Sequence, residues 1–357
     1  MMRKTSTATA VLAGSLLLSA CGNSTTESST GSTGSTTTSN GSTAAAQQMV
    51  TIYSGRNEAL VGPLLSQVES ATGTKIDVRY GDSSALAAQL LEEGDRSPAD
   101  VFFSQDAGAL GALAKAGRLR TLDSSTTGAV LKGYADANGA WVATSARARV
   151  VAYDPASAPE AETFTSIDAI LDPKYKGKIG FAPTNASFHS FVTALRVTKG
   201  EAGAKDWLTK FKANSPQAYE KNGAVLAAVD SGDVSLGLIN HYYWHELVAE
   251  KGADAVNAKI RFLNADDPGA LINVAGVGVL KSSDTQDAAA KVVAYLTSKP
   301  AQQYFADETA EYPVLTGVTT DKHDLPDLAS LTSAGIDLGQ LDSLEVTLGM
   351  LDEVGLT

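Results

Sequence analysis

Cysteine is nearly absent: the 357-residue chain holds one, Cys21. A single thiol excludes an internal disulfide framework and any cysteine-based zinc centre. Positive charge is also scarce, with 28 Lys and Arg against 40 Asp and Glu and a net charge of −12. Nucleic-acid binding needs clustered cations to meet phosphate, so no nucleic-acid partner is expected. Past the N-terminus no apolar run approaches the roughly 18 residues of a membrane span, so no transmembrane helix is expected. Catalytic signatures are missing as well: there is no Gly-x-Ser-x-Gly elbow, His-Glu-x-x-His, P-loop or Rossmann glycine pattern. The acidic pairs Glu92-Glu93 and Asp266-Asp267 read as solvated surface. An enzyme is therefore not expected, and no repeat of fixed period appears.

What is present suits a globular protein. Hydrophobic residues make up 43% and charged residues 19%, enough to build a sizeable core, and the length suggests two domains or lobes. The N-terminus reads as an address. Arg3 and Lys4 precede a short apolar run, Ala8 to Leu18, the layout of a secretory signal peptide. The run ends Leu18-Ser19-Ala20-Cys21, which resembles the bacterial lipobox. That implies cleavage of residues 1–20 and acylation of Cys21, with the protein secreted across the cytoplasmic membrane and lipid-anchored to its outer face. Residues 21–48 are rich in Ser, Thr and Gly; such a stretch buries too little apolar surface to fold and reads as a tether.

From Val50 the pattern changes. Val50 to Tyr53, the alternating Ile76, Val78 and Tyr80, and Val101 to Ser104 read as strands. Helical spacing of Leu60, Leu64, Leu65 and Val68, of Leu86 and Leu90, and of Ala107 to Ala116 lies between and after them. Strand and helix alternate as in a parallel α/β sheet. Further on, helices are expected at Phe188 to Thr198 (with Ser187 as N-cap), Ala204 to Lys212 and Asn222 to Asp230, then a strand at Val234 to Ile239. Ligands of such sheets bind beyond the carboxyl ends of strands. That points to Gly55 to Glu58, Gln105-Asp106, Pro183 to Ser187 and Asn240 to His245.

The last segment carries adjacent phenols, Tyr242 and Tyr243. A phenol loses its proton near pH 10 and serves most divalent ions poorly. A hard trivalent cation stabilises the phenolate, so the pair fits ferric iron better than zinc or calcium. The pair alone also fits two core aromatics, or a platform that stacks on a sugar. His241 and His245 have zinc-like spacing, but no Glu stands in the middle and aromatics interrupt the face. Asn185-Ala186-Ser187 opens a helix, where free N–H groups favour either an anion or plain capping. Arg147 and Arg149 fit anion neutralisation or an exposed strand equally.

Between Val50 and Leu315 the chain resembles the ferric iron-binding proteins of bacterial ABC importers, the bacterial transferrins. The resembling stretches are Ile52 to Arg56, Ser97 to Ser104, Ala146 to Val151, Gly180 to Asn185, Leu238 to Trp244 and Asp267 to Leu271, in order. The resemblance implies a two-lobe periplasmic-binding-protein fold of α/β class, with hinge strands and a ligand cleft between the lobes. The N-terminal lobe would hold 49–148 plus 274–316, and the C-terminal lobe 149–273. A helical tail, 317–357, would pack on the C-terminal lobe. Tyr242 and Tyr243 match the family's tyrosinate ligands for Fe(III). Asn222, Asn240 and the Asn185 to Ser187 segment match contacts to a synergistic anion (carbonate, phosphate or citrate), with Arg147 a further anion-binding candidate.

The chain departs from the family pattern on the first lobe. Asn57 stands where many members have His, Gln105 replaces a Glu, and Phe188 replaces a third tyrosine. Neutral amides are weak ferric ligands, so Glu58 is the carboxylate expected to complete the site. The implied function is iron import: a monomeric lipoprotein that delivers ferric iron to an ABC permease and its ATPase. The alternatives are another small solute in the same fold, such as phosphate, sulfate or an organic cation, and then a lipid-anchored enzyme or adhesion protein.

Overall fold

A computed structural model describes residues 48–331 and 338–357. The signal peptide, Cys21 and nearly all of the tether lie outside the described residues. In chain order the strands are β1 (Met49–Ser54), β2 (Lys75–Tyr80), β3 (Val101–Ser104), β4 (Val142–Tyr153), β5 (Ile179–Phe181), β6 (Gln217–Ala218), β7 (Leu236–Asn240), β8 (Lys259–Arg261) and β9 (Ile272–Val279). The helices are α1 (Glu58–Thr72), α2 (Ser83–Glu93), α3 (Ala107–Lys115), α4 (Ser124–Thr127), α5 (Ala186–Ala213), α6 (Asn222–Asp230), α7 (Tyr242–Lys251), α8 (Gln286–Leu296), α9 (Lys299–Glu308), α10 (Leu328–Leu331) and α11 (Leu344–Val354). Among the described residues no helix is long and apolar enough to cross a membrane.

The strands run in the order β2-β1-β3-β9-β4-β7-β5-β6, with β8 also on β4. At one end β1 pairs in parallel with β2 and β3; at the other, β5 pairs in parallel with β6 and β7. Helical crossovers connect the parallel neighbours, as such connections require. The long strand β4 joins the two ends by changing partner. Val142 to Ala148 lie against β9, whereas Arg149 to Tyr153 lie against β7. Two lobes therefore share the strand that links them.

Each lobe has its own core, which explains why the burial is not continuous. Ile52, Val61, Leu64, Phe102 and Leu110 belong to one cluster with Val277 and Phe305. Phe188, Phe191, Trp207 and Phe211 dominate a second, where Trp207 stacks on Phe211 at 5.2 Å. The expected third tyrosine position, Phe188, is thus a core residue with no exposure. Val225, Val229 and Ile239 centre a third cluster on the opposite face of β7. The C-terminal segment touches two of the clusters: Leu341 joins the first, and Met350, Leu351 and Val354 of α11 join the second.

Two local expectations need correction. Ser187 is not the N-cap of α5; Asn185 is, accepting from the Ser187 backbone N–H. The two helices expected around 188–198 and 204–212 are both present in α5, separated by a break at Gly200, with φ 71° and ψ 168°. Only glycine takes that conformation without steric strain, so the chain turns there without leaving the helix pair. The acidic pairs are also more than solvated surface. Glu93 accepts hydrogen bonds from Tyr53, Gln89 and Ser97, and Asp267 accepts from Ile167 and Gly269 N–H groups.

Candidate functional site

The strand ends β1, β3 and β7 open toward one cavity of about 440 Å³. Asn57, Glu58 and Gln105 line it from the first lobe; Asn185, Lys221, Tyr243 and Glu246 line it from the second. Asn57 caps α1, its side chain accepting from the Ala59 N–H at 3.1 Å. Glu58 begins that helix and is exposed. Gln105 follows β3, its backbone N–H held by Ser83 Oγ at 2.9 Å. These positions follow the rule that open sheets bind ligands past their strand ends.

Tyr242 and Tyr243 form the first turn of α7, directly after β7. Their rings stack with centroids 4.3 Å apart and planes 29° apart. Tyr242 is 1% exposed. Burial raises its phenol pKa well above the usual value, and the neighbouring Tyr243 raises it further. Arg56 and Arg147 oppose the rise. Burial also raises Tyr243, while a hydrogen bond from Tyr242 works the other way. Both phenols are therefore neutral without a ligand. A cation that displaces their protons would create two anions beside two guanidinium groups, which lowers the cost of deprotonation.

The arginines are the least expected part of the site. Arg147 and Arg149 alternate onto one face of β4, and neither is an exposed strand residue: they are 1% and 3% exposed. No nitrogen of the Arg147 guanidinium has a hydrogen-bond partner. Arg149 donates to Ser187 Oγ at 3.2 Å but keeps Nη2 unpartnered. Burial lowers its pKa to about 9, so it stays charged at neutral pH. Asn222 donates to the same Ser187 Oγ at 3.0 Å and to Asn185 Oδ1 at 3.4 Å. Asn240 faces Arg149 across the ladder and its buried Nδ2 is unpartnered. Asn185, Ser187, Asn222 and Asn240 are thus together on the second lobe, backed by Arg149. Buried donors left unsatisfied at a helix start are what an anion would satisfy.

Beneath the tyrosines lies a charged pair that sequence reasoning missed. Arg56 donates to Glu311 at 2.6 Å, with side chains 1% and 0% exposed. Burial alone would raise the Glu311 pKa, but Arg56 and Arg147 outweigh it and hold the carboxyl below its usual range. Glu246 was missed as well. Burial, then Glu311, raises its pKa to about 7 against the pull of Arg56. The α7 register carried that signal, since Glu246 falls four residues after Tyr242 and three after Tyr243.

The histidines take no part. His241 is fully buried, with Nε2 donating to Ala310 O at 2.8 Å and Nδ1 accepting from Ala148 N–H at 3.2 Å, so both ring nitrogens are used. Burial lowers His241 and His245 to about 4. His189 on α5 meets Pro183 O at 2.8 Å and Ser84 Oγ at 3.1 Å, a contact between the lobes. Among the described residues no group of three or more His, Cys, Asp or Glu could hold a metal ion. A metal bound in this cleft must therefore add other oxygen donors, such as phenols, to any carboxylate it uses.

Two lobes linked by shared strands, with a cleft of unsatisfied polar groups between them, define a solute-binding architecture. The sequence profile of bacterial extracellular solute-binding proteins matches residues 96–337, and the chain belongs to that family. It is 37% identical over 309 residues to the major ferric iron-binding protein of Neisseria meningitidis, covering 86% of this chain and 93% of the relative. Among solved structures it is similar to iron-bound HitA from Pseudomonas aeruginosa at 35% identity and a TM-score of 0.81, covering 86% of this chain and 99% of that one. It is also similar to a Trichodesmium protein in complex with iron and citrate, at 27% identity and a TM-score of 0.70, covering 87% and 100%.

Proposed function

We propose that this protein captures ferric iron outside the cytoplasmic membrane and delivers it to an ABC permease and its ATPase. The observation that carries this reading is the stacked Tyr242–Tyr243 pair at the cleft, 4.3 Å between rings, flanked by the unpartnered guanidinium of Arg147. The relatives' names support it. Two phenolates supply hard anionic oxygens, the donors a trivalent ion prefers. A synergistic anion (carbonate, phosphate or citrate) sits on Asn185, Ser187, Asn222 and Asn240 and shares the ion's remaining positions. Arg147 balances its charge. Asn57, Glu58 and Gln105 close over the cargo from the first lobe, and closure brings the exposed Glu58 carboxylate to the ion.

In this reading residues 49–148 and 274–316 form the N-terminal lobe and 149–273 the C-terminal lobe; the tail expected on the latter, 317–357, also reaches the former through Leu341. Cys21 carries lipid and residues 21–48 form the tether. The test is a visible spectrum of the metal-free protein titrated with ferric citrate. A phenolate-to-iron charge-transfer band is expected, and it should vanish in the Tyr242→Phe/Tyr243→Phe double variant. A wild-type protein with no band and no thermal stabilisation by iron would refute the reading. The buried donors around Arg149 favour one second reading, an anionic solute such as phosphate or sulfate as the cargo itself. That cargo would bind without iron and tolerate Tyr242→Phe.

A further inference from the structure

Three carboxylates line the cavity, and they differ in environment. Glu58 and Asp82 are exposed. Glu246 is half-buried, and its Oε1 is shielded from solvent with no hydrogen-bond partner. A shielded carboxylate oxygen without a partner is unfavourable. Arg56 acts on it only at a distance, since the one hydrogen bond of that guanidinium runs from Nη2 to Glu311. Residues three and four apart share one helix face, so Glu246 stands on the same side of α7 as Tyr243 and Tyr242. One short helix thus presents Tyr243 and Glu246 to the cavity, with Tyr242 stacked directly behind Tyr243.

We propose that Glu246 is the third anionic oxygen donor to the ferric ion, joining Tyr242 and Tyr243 before the first lobe contributes. This rests on the ferric reading above. A trivalent ion held by two phenolates keeps one positive charge, and the Glu246 carboxylate neutralises it without help from the neutral amides Asn57 and Gln105. The Arg147 charge is then left for the exogenous anion. The Glu246 oxygen without a hydrogen-bond partner becomes a ligand when iron binds, which is why the protein tolerates it.

The test compares wild type with Glu246→Gln, each loaded from ferric nitrilotriacetate and then stripped with citrate. Replacing a carboxylate by an amide makes the bound ion a stronger Lewis acid, so the charge-transfer maximum should move to longer wavelength. Even outer partners of metal ligands change affinity about 10–100-fold; a direct ligand should reach at least about 100-fold. Metal-free Glu246→Gln should melt at or above the wild-type temperature, since it loses an unpaired buried charge. An unmoved band with affinity within about twofold would overturn the proposal. So would a metal-free variant that melts well below wild type, because that marks a structural role. A wild type without any band would sink the ferric reading itself, and this proposal with it.

Discussion

The Arg56–Glu311 pair offers a sharp test of how the cleft floor is held together. The contact is 2.6 Å and both side chains are essentially removed from solvent. Ser145 Oγ also donates to Glu311. In Glu311→Gln the amide keeps a hydrogen-bonding oxygen but leaves the Arg56 charge buried without a counter-ion. Breaking a buried pair from one side costs about 3–5 kcal/mol. The isosteric change should fall at the low end, about 3 kcal/mol. For a large domain each kcal/mol shifts the melting temperature by about 2–4 °C, so a loss of roughly 6–12 °C is expected. Removing both charges in Arg56→Met/Glu311→Gln should recover part of that loss, because no uncompensated charge remains. Urea unfolding of wild type, both single variants and the double variant gives the coupling energy, which for contacting groups falls at about 0.5–3 kcal/mol. The pH dependence has a fixed sign. The folded pKa of Glu311 lies below the ordinary carboxylate value, so its contribution is fully present above that value. It disappears only as pH falls below the usual carboxylate range of about 4.3. Additive single costs, or a wild-type advantage over Glu311→Gln that already shrinks between about pH 7 and pH 5, would refute the argument.

Two further predictions concern the second lobe. Leu351 on α11 has no exposure and packs in the cluster of Phe191 and Trp207; Leu351→Ala should cost about 2–5 kcal/mol in urea unfolding. Asn185→Ala removes the α5 cap and should cost about 1 kcal/mol. Asn185→Asp restores the cap but sets a negative charge where the anion is proposed to sit. Stability should therefore return while phosphate-dependent iron retention, read by citrate competition, falls.

The parts of the fold that were legible in the sequence are those that local chemistry decides. Alternation at Ile76, Val78 and Tyr80 and the runs Val50 to Tyr53 and Val101 to Ser104 give the first three strands to within a residue, while the spaced leucines fall inside α1 and α2 without marking their ends. Gly73 at φ 68° ends α1 as a left-handed cap. The tyrosine pair was visible because two phenols at a strand end are chemically unusual. What stayed hidden depends on tertiary placement. Nothing local in Ser145-Ala146-Arg147-Ala148-Arg149 tells that β4 changes partner after Ala148 and so buries both guanidinium groups. Nor does sequence distance suggest that Arg56 meets Glu311, which lies 255 residues away.

The same tertiary placement explains why the site is costly to keep and useful to have. Buried polar groups are almost always satisfied inside proteins, yet Arg147, Arg149 Nη2, Asn240 Nδ2 and Glu246 Oε1 are not. Arg147, Arg149 and Asn240 lie where β4 passes between lobes and β7 ends, and Glu246 lies on α7; further unpartnered atoms, at Arg118, Ser282 and Ser298 among others, lie away from the cleft. A stability-driven sequence would replace such groups, since an unpaired buried polar atom costs about 1–3 kcal/mol. The cleft region thus carries cations on β4 and oxygen donors on α7. A single neutral or single-charged solute would satisfy one wall and leave the other strained. Under the ferric reading proposed above, a cation bound together with an anion would satisfy both, and the energy released on filling the cleft would be available to hold the two lobes closed.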